Sequence, residues 1–290
     1  MGSVTAIHFA GNTFASTVNN RGIIHGSSGV VVDSGSLIVM NAGEITSDGG
    51  SAVTLAGAGA VRISNSGDIS GALYGVVTLG TTTSNIANSG IISGGSGAMS
   101  LSNGVSRVVN TGLLDGRFNL GSGADYFNGT GGVQGSVFGG AGADRMSGGA
   151  GEDGLFGGTG ADVMRGNGAD EVLDGGADAD QLFGGAGDDS LTGGVGVDVL
   201  RGGEGDDRLT GGTLADTFVF TRGQGTDRVT DFANNVDKLD LRAFDLGSVA
   251  AVKALASPSG FGLRIDVPGE GVIFVAGLTL AQLDAADLLL

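Results

Sequence analysis

Carboxylates recur every nine residues between residues 139 and 219, and they are the side chains best placed to do chemistry. From Gly139 the chain repeats Gly-Gly-x-Gly-x-Asp-x-Leu-x in nine units without an insertion. The sixth position of these units holds Asp144, Asp153, Asp162, Glu171, Asp180, Asp189, Asp198, Asp207 and Asp216. Carboxylate oxygens, together with backbone carbonyls that glycine can turn outward, are the donors that a hard cation prefers.

The nine-residue period also predicts the elements that position these carboxylates. Each unit divides into a six-residue turn and a three-residue strand, whose apolar middle residue points inward. Two units complete one coil, so that alternate units stack about 4.8 Å apart on the same edge. The predicted stacked pairs are Asp144–Asp162, Asp162–Asp180, Asp180–Asp198 and Asp198–Asp216 on one edge, and Asp153–Glu171, Glu171–Asp189 and Asp189–Asp207 on the other.

Stacked carboxylates repel one another, and the repulsion predicts a bound cation. Two charges ~5 Å apart repel by roughly 1 kcal/mol in water and by about 3 kcal/mol at an effective dielectric near 20. Calcium, which takes ~6–8 oxygen ligands, removes this repulsion. We therefore expect several calcium ions, held by the sixth-position carboxylates and by carbonyls of the glycine turns. The glycines that begin these turns are Gly139, Gly148, Gly157, Gly175, Gly184, Gly193, Gly202 and Gly211.

The unit that begins at Gly166 departs from the repeat. Asn167 and Ala169 stand where glycine is expected, and Glu171 replaces aspartate. Elsewhere, Asp178 and Leu214 replace the glycine of the fourth position. Residues other than glycine rarely adopt a positive φ, so sites that use the Gly166 turn are predicted to be weak or empty.

The acidic residues are concentrated in the middle of the chain. The net charge is −17, and residues 121–240 alone hold 21 acidic against 7 basic residues, or −14. Such a charge excludes phosphate-rich partners, so no nucleic acid partner is expected. No apolar run reaches the ~18–20 residues needed to span a bilayer, and the absence of cysteine excludes a disulfide framework.

A second repeat precedes the first and covers roughly residues 5–118. It is marked by Asn20, Asn41, Asn65, Asn88 and Asn110, which follow one another at intervals of 21, 24, 23 and 22 residues. Short alternating apolar runs between them predict three strands per coil of ~22 residues. We therefore predict an all-β chain: a parallel β-helix over 1–118 in which the asparagines stack as a ladder, a parallel β-roll over 119–220, and a C-terminal β cap over 221–290.

Residues 139–219 resemble the RTX, or hemolysin-type, calcium-binding repeats, whose motif is this nonapeptide. The resemblance extends upstream to residues 121–127, where Asp125 matches the sixth position of a degenerate first repeat and is added to the expected ligands. Downstream, residues 216–241 are similar to the cap of such rolls, and residues 272–290 resemble the C-terminal signal read by type I secretion machinery. The resemblance implies a secreted, extracellular or cell-surface protein that folds on calcium after export.

No catalytic constellation is found. The chain lacks His-Glu-x-x-His, Gly-x-Ser-x-Gly and phosphate-loop motifs, and residues 1–118 contain no lysine and four scattered arginines. We therefore expect a structural or surface-matrix role and no enzyme activity. Two alternatives stay open: a calcium-dependent module that binds extracellular polysaccharide, and the non-catalytic part of a polysaccharide-modifying enzyme of the epimerase or lyase type.

Overall fold

A computed structural model of the protein describes residues 5–11, 14–80 and 83–290. The chain divides into two compact units, Met1–Gly149 and Ala150–Leu290. This division does not test the predicted domain boundaries after residues 118 and 220, which stay predictions. Among the described residues, no helix is long and apolar enough to cross a membrane.

Short parallel strands form nearly all of the regular structure of the first unit. They are β1 (Thr5–Phe9), β2 (Ser16–Asn20), β3 (Ile23–Gly26), β4 (Ser28–Val32), β5 (Leu37–Asn41), β6 (Glu44–Ser47), β7 (Val53–Leu55), β8 (Val61–Asn65), β9 (Asp68–Gly71), β10 (Tyr74–Thr78), β11 (Ser84–Asn88), β12 (Ile91–Gly94), β13 (Gly97–Ser100), β14 (Ser106–Asn110), β15 (Leu113–Asp115), β16 (Phe118–Ser122), β17 (Tyr126–Asn128), β18 (Val133–Gln134), β19 (Ser136–Ala141) and β20 (Arg145–Ser147).

Successive strands of the first unit belong in turn to three sheets. Sheet A contains β1, β4, β7, β10, β13, β16 and β19; sheet B contains β2, β5, β8, β11, β14, β17 and β20; and sheet C contains β3, β6, β9, β12, β15 and β18. Each strand turns alternate residues inward, as the alternating burial of Val61–Asn65 shows. One coil thus buries Val30, Val39 and Ile45 from sheets A, B and C. The predicted parallel β-helix with three strands per coil is confirmed.

The predicted asparagine ladder is also present, at the ends of strands β2, β5, β8, β11 and β14 of sheet B. The side-chain amide of Asn20 donates to the Asn41 Oδ1 atom at 2.8 Å, and Asn41 donates to Asn65 at 2.8 Å. Asn65 then donates to Asn88 at 2.8 Å, and Asn88 donates to Asn110 at 2.7 Å. Each amide also donates to a backbone carbonyl of its own turn, for example Asn65 to Gly67 at 2.8 Å. The ladder therefore fixes the register of the coils.

Replacing one ladder residue should destabilise the first unit without affecting calcium binding. Asn65 is 1% exposed, and Asn65→Ala leaves the Asn41 amide and the Asn88 oxygen without their buried partner. We expect a loss of about 2–4 kcal/mol, since each unsatisfied buried group costs roughly 1–3 kcal/mol. Denaturant unfolding at saturating calcium measures the loss. The control is Asn85→Ala, an exposed position in the same sheet, and equal losses for both variants would contradict the ladder's role.

The second unit begins with six-residue strands and ends in a mixed segment. Its strands are β21 (Gly154–Thr159), β22 (Val163–Gly168), β23 (Val172–Ala177), β24 (Gln181–Ala186), β25 (Ser190–Val195), β26 (Val199–Glu204), β27 (Arg208–Thr213), β28 (Thr217–Val219), β29 (Thr226–Val229), β30 (Lys238–Asp240), β31 (Ala256–Ser259), β32 (Gly262–Val267), β33 (Gly271–Val275) and β34 (Leu288–Leu289). A 3₁₀ helix, Arg242–Phe244, and helix α1, Val249–Leu255, lie between β30 and β31.

Two sheets, and not three, form each coil of the second unit. Odd-numbered strands β21 to β29 pair in parallel in one sheet, and even-numbered strands β22 to β30 pair in the other. The register advances by 18 residues, as in Leu173–Leu191 and Leu182–Leu200, and these leucines are 0% exposed. The predicted two-unit coil is confirmed.

The predicted strand length of three residues is wrong for this unit. The strands from β21 to β27 contain six residues each. Pairing with the neighbouring strand skips the first glycine of the next repeat and then continues, as in the pair Gly158–Gly176. Gly176 adopts φ 101°, which lets the chain bend there without losing its partner strand.

An antiparallel segment closes the second unit. Strand β33 pairs in parallel with β29 and antiparallel with β32, which in turn pairs antiparallel with β31. Strand β34 continues the other sheet beside β30. The predicted C-terminal β cap is therefore present, and Val272–Val275 of the segment that resembles a secretion signal lie within it.

Candidate metal centre

Every sixth-position carboxylate lies in the protein interior. Asp198 is 0% exposed, and the most accessible of the nine, Asp153, is 6% exposed. The other seven lie between these limits: Asp144, Asp162, Glu171, Asp180, Asp189, Asp207 and Asp216. A carboxylate is costly to bury unless hydrogen bonds or a counter-charge offset its lost hydration.

In the row that runs from Asp162 to Asp216, one carboxylate oxygen of each of the three later aspartates accepts a backbone hydrogen bond from the coil before it. The Asp162 amide donates to Asp180 Oδ1 at 2.8 Å, and the Asp180 amide donates to Asp198 Oδ1 at 2.8 Å. The Asp198 amide continues this row by donating to Asp216 Oδ1 at 3.0 Å. The structure therefore brings these residues together in the predicted order.

The second edge has the same arrangement. The Glu171 amide donates to Asp189 Oδ1 at 2.9 Å, and the Asp189 amide donates to Asp207 Oδ1 at 3.0 Å. In the first unit, the Asp125 amide donates to Asp144 Oδ1 at 2.8 Å, and Asp125 Oδ1 accepts from the Ser106 amide at 2.5 Å. Asp125 is 3% exposed and so shares the environment of the regular positions.

In five of the stacked aspartates, the second carboxylate oxygen is buried and has no hydrogen-bond donor among the described residues. Within the described part of the chain, the Oδ2 atoms of Asp180, Asp189, Asp198, Asp207 and Asp216 accept no hydrogen bond. Buried polar atoms are nearly always satisfied, so a repeated exception indicates a missing partner. Because all of these atoms are anionic oxygens, the partner they call for is a cation.

The first glycine of each repeat leaves a cradle beside this oxygen. A Cβ atom built on Gly175 would overlap Asp180 Oδ2 and lie 2.7 Å from the Gly193 carbonyl oxygen. Gly184 has the same relation to Asp189 Oδ2 and the Gly202 carbonyl oxygen. The cradles also occur at Gly157, Gly193, Gly202 and Gly211. The two remaining predicted glycines, Gly139 and Gly148, are buried.

These donors fit a hard cation. Bare carboxylate oxygens and glycine carbonyls in one turn are oxygen ligands of the kind that calcium accepts. Over the described residues, no group of three or more His, Cys, Asp or Glu side chains is arranged to hold a metal. A site here would therefore combine carboxylates of stacked turns with backbone oxygens.

Burial raises the pKa of these carboxyl groups. With no cation beside them, desolvation raises the pKa of Asp180 and Asp216 from 3.8 to about 7, and that of Asp207 to about 6. The pKa values of Asp125 and Asp144 rise to about 6 for the same reason. Backbone hydrogen bonds oppose the rise at every one of them, but desolvation is the larger effect.

The Gly166 turn differs from the others in the way the sequence predicts. Asn167 and Ala169 adopt φ values of 93° and 72°, and both oxygens of Glu171 lack a hydrogen bond from any described residue. Burial is the largest cause that raises the pKa of Glu171, and the nearby Asp189 raises it further. Asp178 and Leu214 likewise adopt positive φ, at 80° and 84°. Reduced cation binding at the Gly166 turn stays a prediction.

Two further aspartates extend the rows and were missed by sequence reasoning. The Asp207 amide donates to Asp227 Oδ1 at 3.1 Å, and the Asp216 amide donates to Asp237 Oδ1 at 2.9 Å. Both aspartates are 2% exposed, and burial raises the pKa of Asp227 to about 8. Their intervals of 20 and 21 residues break the period of 18 that defines the rows. The sequence did contain a sign of these row members, namely an aspartate two residues before an apolar residue, as in Asp227-Arg228-Val229.

The two edges of the second unit are not equivalent. The fifth positions on one edge hold Asp170, Asp188 and Asp206, and the corresponding residues on the other edge include Ala161, Ala179 and Val197. The Asp188 amide donates to Asp170 Oδ1, and the Asp206 amide to Asp188 Oδ1, each at 2.8 Å. This exposed acidic row lies next to the buried row of Glu171, Asp189 and Asp207, so that negative charge is concentrated on one edge.

Comparisons with known proteins agree with the repeat. The family described as RTX calcium-binding nonapeptide repeat (4 copies) matches residues 136–164, 165–200, 183–218 and 192–229. Among solved structures, the chain is similar to the AlgE6R3 subunit of the Azotobacter vinelandii mannuronan C5-epimerase. The identity is 30%, the match covers 43% of this chain and 80% of that chain, and the TM-score is 0.35. A search of curated protein sequences gave no match.

Proposed function

We propose that this chain, which belongs to the proteins with RTX calcium-binding nonapeptide repeats, is an exported protein whose second unit folds when it binds calcium outside the cell. The observation that carries the proposal is the row of buried Oδ2 atoms that accept no hydrogen bond from any residue the structure describes. Folding must bury these charges, and a divalent cation between stacked turns is the partner that makes their burial favourable.

The ligands that we assign are the sixth-position carboxylates and the carbonyls of the first glycines. Asp180 Oδ2 and the Gly193 carbonyl converge on one cradle, as do Asp189 Oδ2 and the Gly202 carbonyl. Calcium would supply the positive charge that these oxygens lack. The chain's own part is to orient the carboxylates through their Oδ1 hydrogen bonds and to keep the turns open with glycine.

Asp227 and Asp237 join the proposed ligand set. Their Oδ1 atoms accept the same backbone hydrogen bonds as the regular positions, although they lie outside the strict nine-residue repeat. We assign the exposed row of Asp170, Asp188 and Asp206 a supporting role: it attracts cations to the adjacent edge without holding them in the interior.

Export and an extracellular structural role complete the proposal. The resemblance of residues 272–290 to a type I secretion signal supports export, and the charge of −14 over residues 121–240 favours a chain that stays unfolded where calcium is scarce. Extracellular calcium modules bind with Kd values of roughly 10⁻⁴–10⁻³ M, in the range where such a switch would work. A second candidate, which the sequence leaves open, is that the chain is the non-catalytic part of a polysaccharide-modifying enzyme.

A calcium titration tests the proposal. Full-length protein freed of metal at pH 7.5 should show the β signal of the first unit alone, and should gain β signal in far-ultraviolet circular dichroism as calcium rises to about 10⁻³ M. Calorimetry over the same range should show binding of several ions per chain. Magnesium serves as the control, because its demand for octahedral geometry and retained waters suits these turns poorly. A spectrum that neither chelator nor calcium changes would contradict calcium-coupled folding.

A further inference from the structure

The outer face of sheet B in the first unit carries positive charge in a strongly acidic chain. The seven strands of this sheet, β2, β5, β8, β11, β14, β17 and β20, contain no aspartate or glutamate. They do contain Arg62, Arg107 and Arg145, three of the five arginines of the unit. A chain with a net charge of −17 thus presents one face that attracts anions.

Strand register places the three arginines in a single column along the coils. Arg62 pairs with Asn85, Asn85 with Arg107, Arg107 with Tyr126, and Tyr126 with Arg145. We call these five residues the basic column. Its arginines lie two coils apart, which corresponds to about 10 Å at the usual strand separation.

The arginines of the basic column are available to a ligand. Arg62, Arg107 and Arg145 are exposed, and none of them forms an ion pair with a carboxylate in the described part of the chain. The Arg107 guanidinium carbon lies 5.0 Å from the centre of the Tyr126 ring, which holds the side chain in place. An arginine held in this way loses less conformational freedom on binding.

Two shallow depressions run beside the basic column on the same face. One, of about 440 Å³, is lined by Ile38, Met40, Arg62 and Ser64. The other, of about 270 Å³, is lined by Ser64, Ala87 and Val109, with Asn88, Ser89 and Thr111. Because Ser64 borders both, they form a groove along the coil axis that offers hydroxyl groups next to the arginines.

We propose that this groove binds an extended anionic polysaccharide that lies along the coil axis. The arginines would contact carboxylate or sulfate groups that recur about every 10 Å, the exposed face of Tyr126 would stack on a sugar ring, and the serine and threonine hydroxyls would hydrogen-bond to sugar hydroxyls. Nucleic acid fits less well. Double-stranded DNA carries one charge per ~1.7 Å of axis, far denser than this column, and the acidic chain would repel it.

The test compares two charge-matched double variants of the full-length protein at fixed calcium. Arg62→Gln/Arg107→Gln removes two charges from the basic column, and Arg117→Gln/Arg208→Gln removes two exposed arginines outside sheet B. Fluorescent oligogalacturonate and sulfated dextran oligomers are the probes, with neutral dextran and oligothymidylate as comparisons. We expect wild type to bind one of the two anionic oligosaccharides, and the first double variant to weaken that binding about tenfold or more. The control variant should stay within about twofold of wild type.

Ser64→Glu provides a second test that does not depend on removing arginine. A carboxylate in the middle of the groove should abolish binding, whereas Ser70→Glu, on sheet C, should not. Equal effects of the two double variants, equal effects of the two serine variants, or no binding of either anionic oligosaccharide would overturn the proposal. Tighter binding of oligothymidylate than of both sugars would also overturn it and would assign the face to nucleic acid.

Discussion

Acid should restore the fold of the second unit when calcium is absent. We expect metal-free protein to lose the β signal of this unit at pH 7.5 and to regain most of it at pH 5.0 without any divalent ion. The reason is that burial raises the pKa of the stacked carboxyls, to about 7 at Asp180 and Asp216 and to about 8 at Asp227, from an unfolded value near 3.8.

The sign follows from the number of protons that each state binds. Between pH 3.8 and about 8 the metal-free folded state holds more protons on these groups than the unfolded state, so its stability falls as the pH rises. Protonation stabilises the folded state fully when the pH is below the pKa that these carboxyl groups have in the unfolded chain. The stabilisation is lost as the pH rises through the pKa values that the groups have in the folded state. Calcium replaces the protons at neutral pH, and it should therefore bind more weakly at pH 5.0 than at pH 7.5.

Circular dichroism of the metal-free protein from pH 5.0 to pH 8.0 measures the effect. The sequence pI is about 4.2, so the samples must be dilute and cleared of aggregate near the acid limit. The same series at saturating calcium is the control and should show a stable β signal throughout the neutral range. A metal-free spectrum that is equally folded at pH 5.0 and pH 7.5 would show that the buried carboxyls are not what prevents folding.

The regular part of the fold was readable from the sequence because its periods are local. A large apolar residue at every ninth position predicts the two-sheet coil, and the Asn-x-Gly turns predict the three-sheet coil together with its ladder from Asn20 to Asn110. In both cases the same side chain meets its own counterpart in the next coil. Counting residues is then sufficient to find the neighbours.

The features that were missed depend on coils of unequal length. Asp227 and Asp237 occupy the rows at intervals of 20 and 21 residues, so that a search in steps of nine passes over them. Arg62 and Arg107 look scattered in the sequence, 45 residues apart. They share a column only because Asn85 pairs with both, a register that the variable loops between strands conceal.

Neutralising Asp189 should separate the two roles of a stacked carboxylate. In Asp189→Asn, the Oδ1 atom remains able to accept the hydrogen bond from the Glu171 amide, which is 2.9 Å long, while the charge between Glu171 and Asp207 disappears. We expect the metal-free variant to be more stable than the metal-free wild type at pH 7.5. We also expect the calcium concentration at the folding midpoint to rise by at least about tenfold, since a ligand has lost its charge.

The neighbouring residue provides a matched control for this variant. Asp188→Asn makes the same change in net charge and keeps the acceptor for the Asp206 amide, but its side chain belongs to the exposed row. Calcium titrations followed by circular dichroism, with and without chelator, should show only a small shift for Asp188→Asn. Asp189→Ala, which also removes the acceptor of the Glu171 amide, should weaken calcium-dependent folding further than Asp189→Asn. Equal midpoints for the variants at 188 and 189 would show that burial of the Asp189 oxygens does not distinguish a calcium ligand from a surface carboxylate.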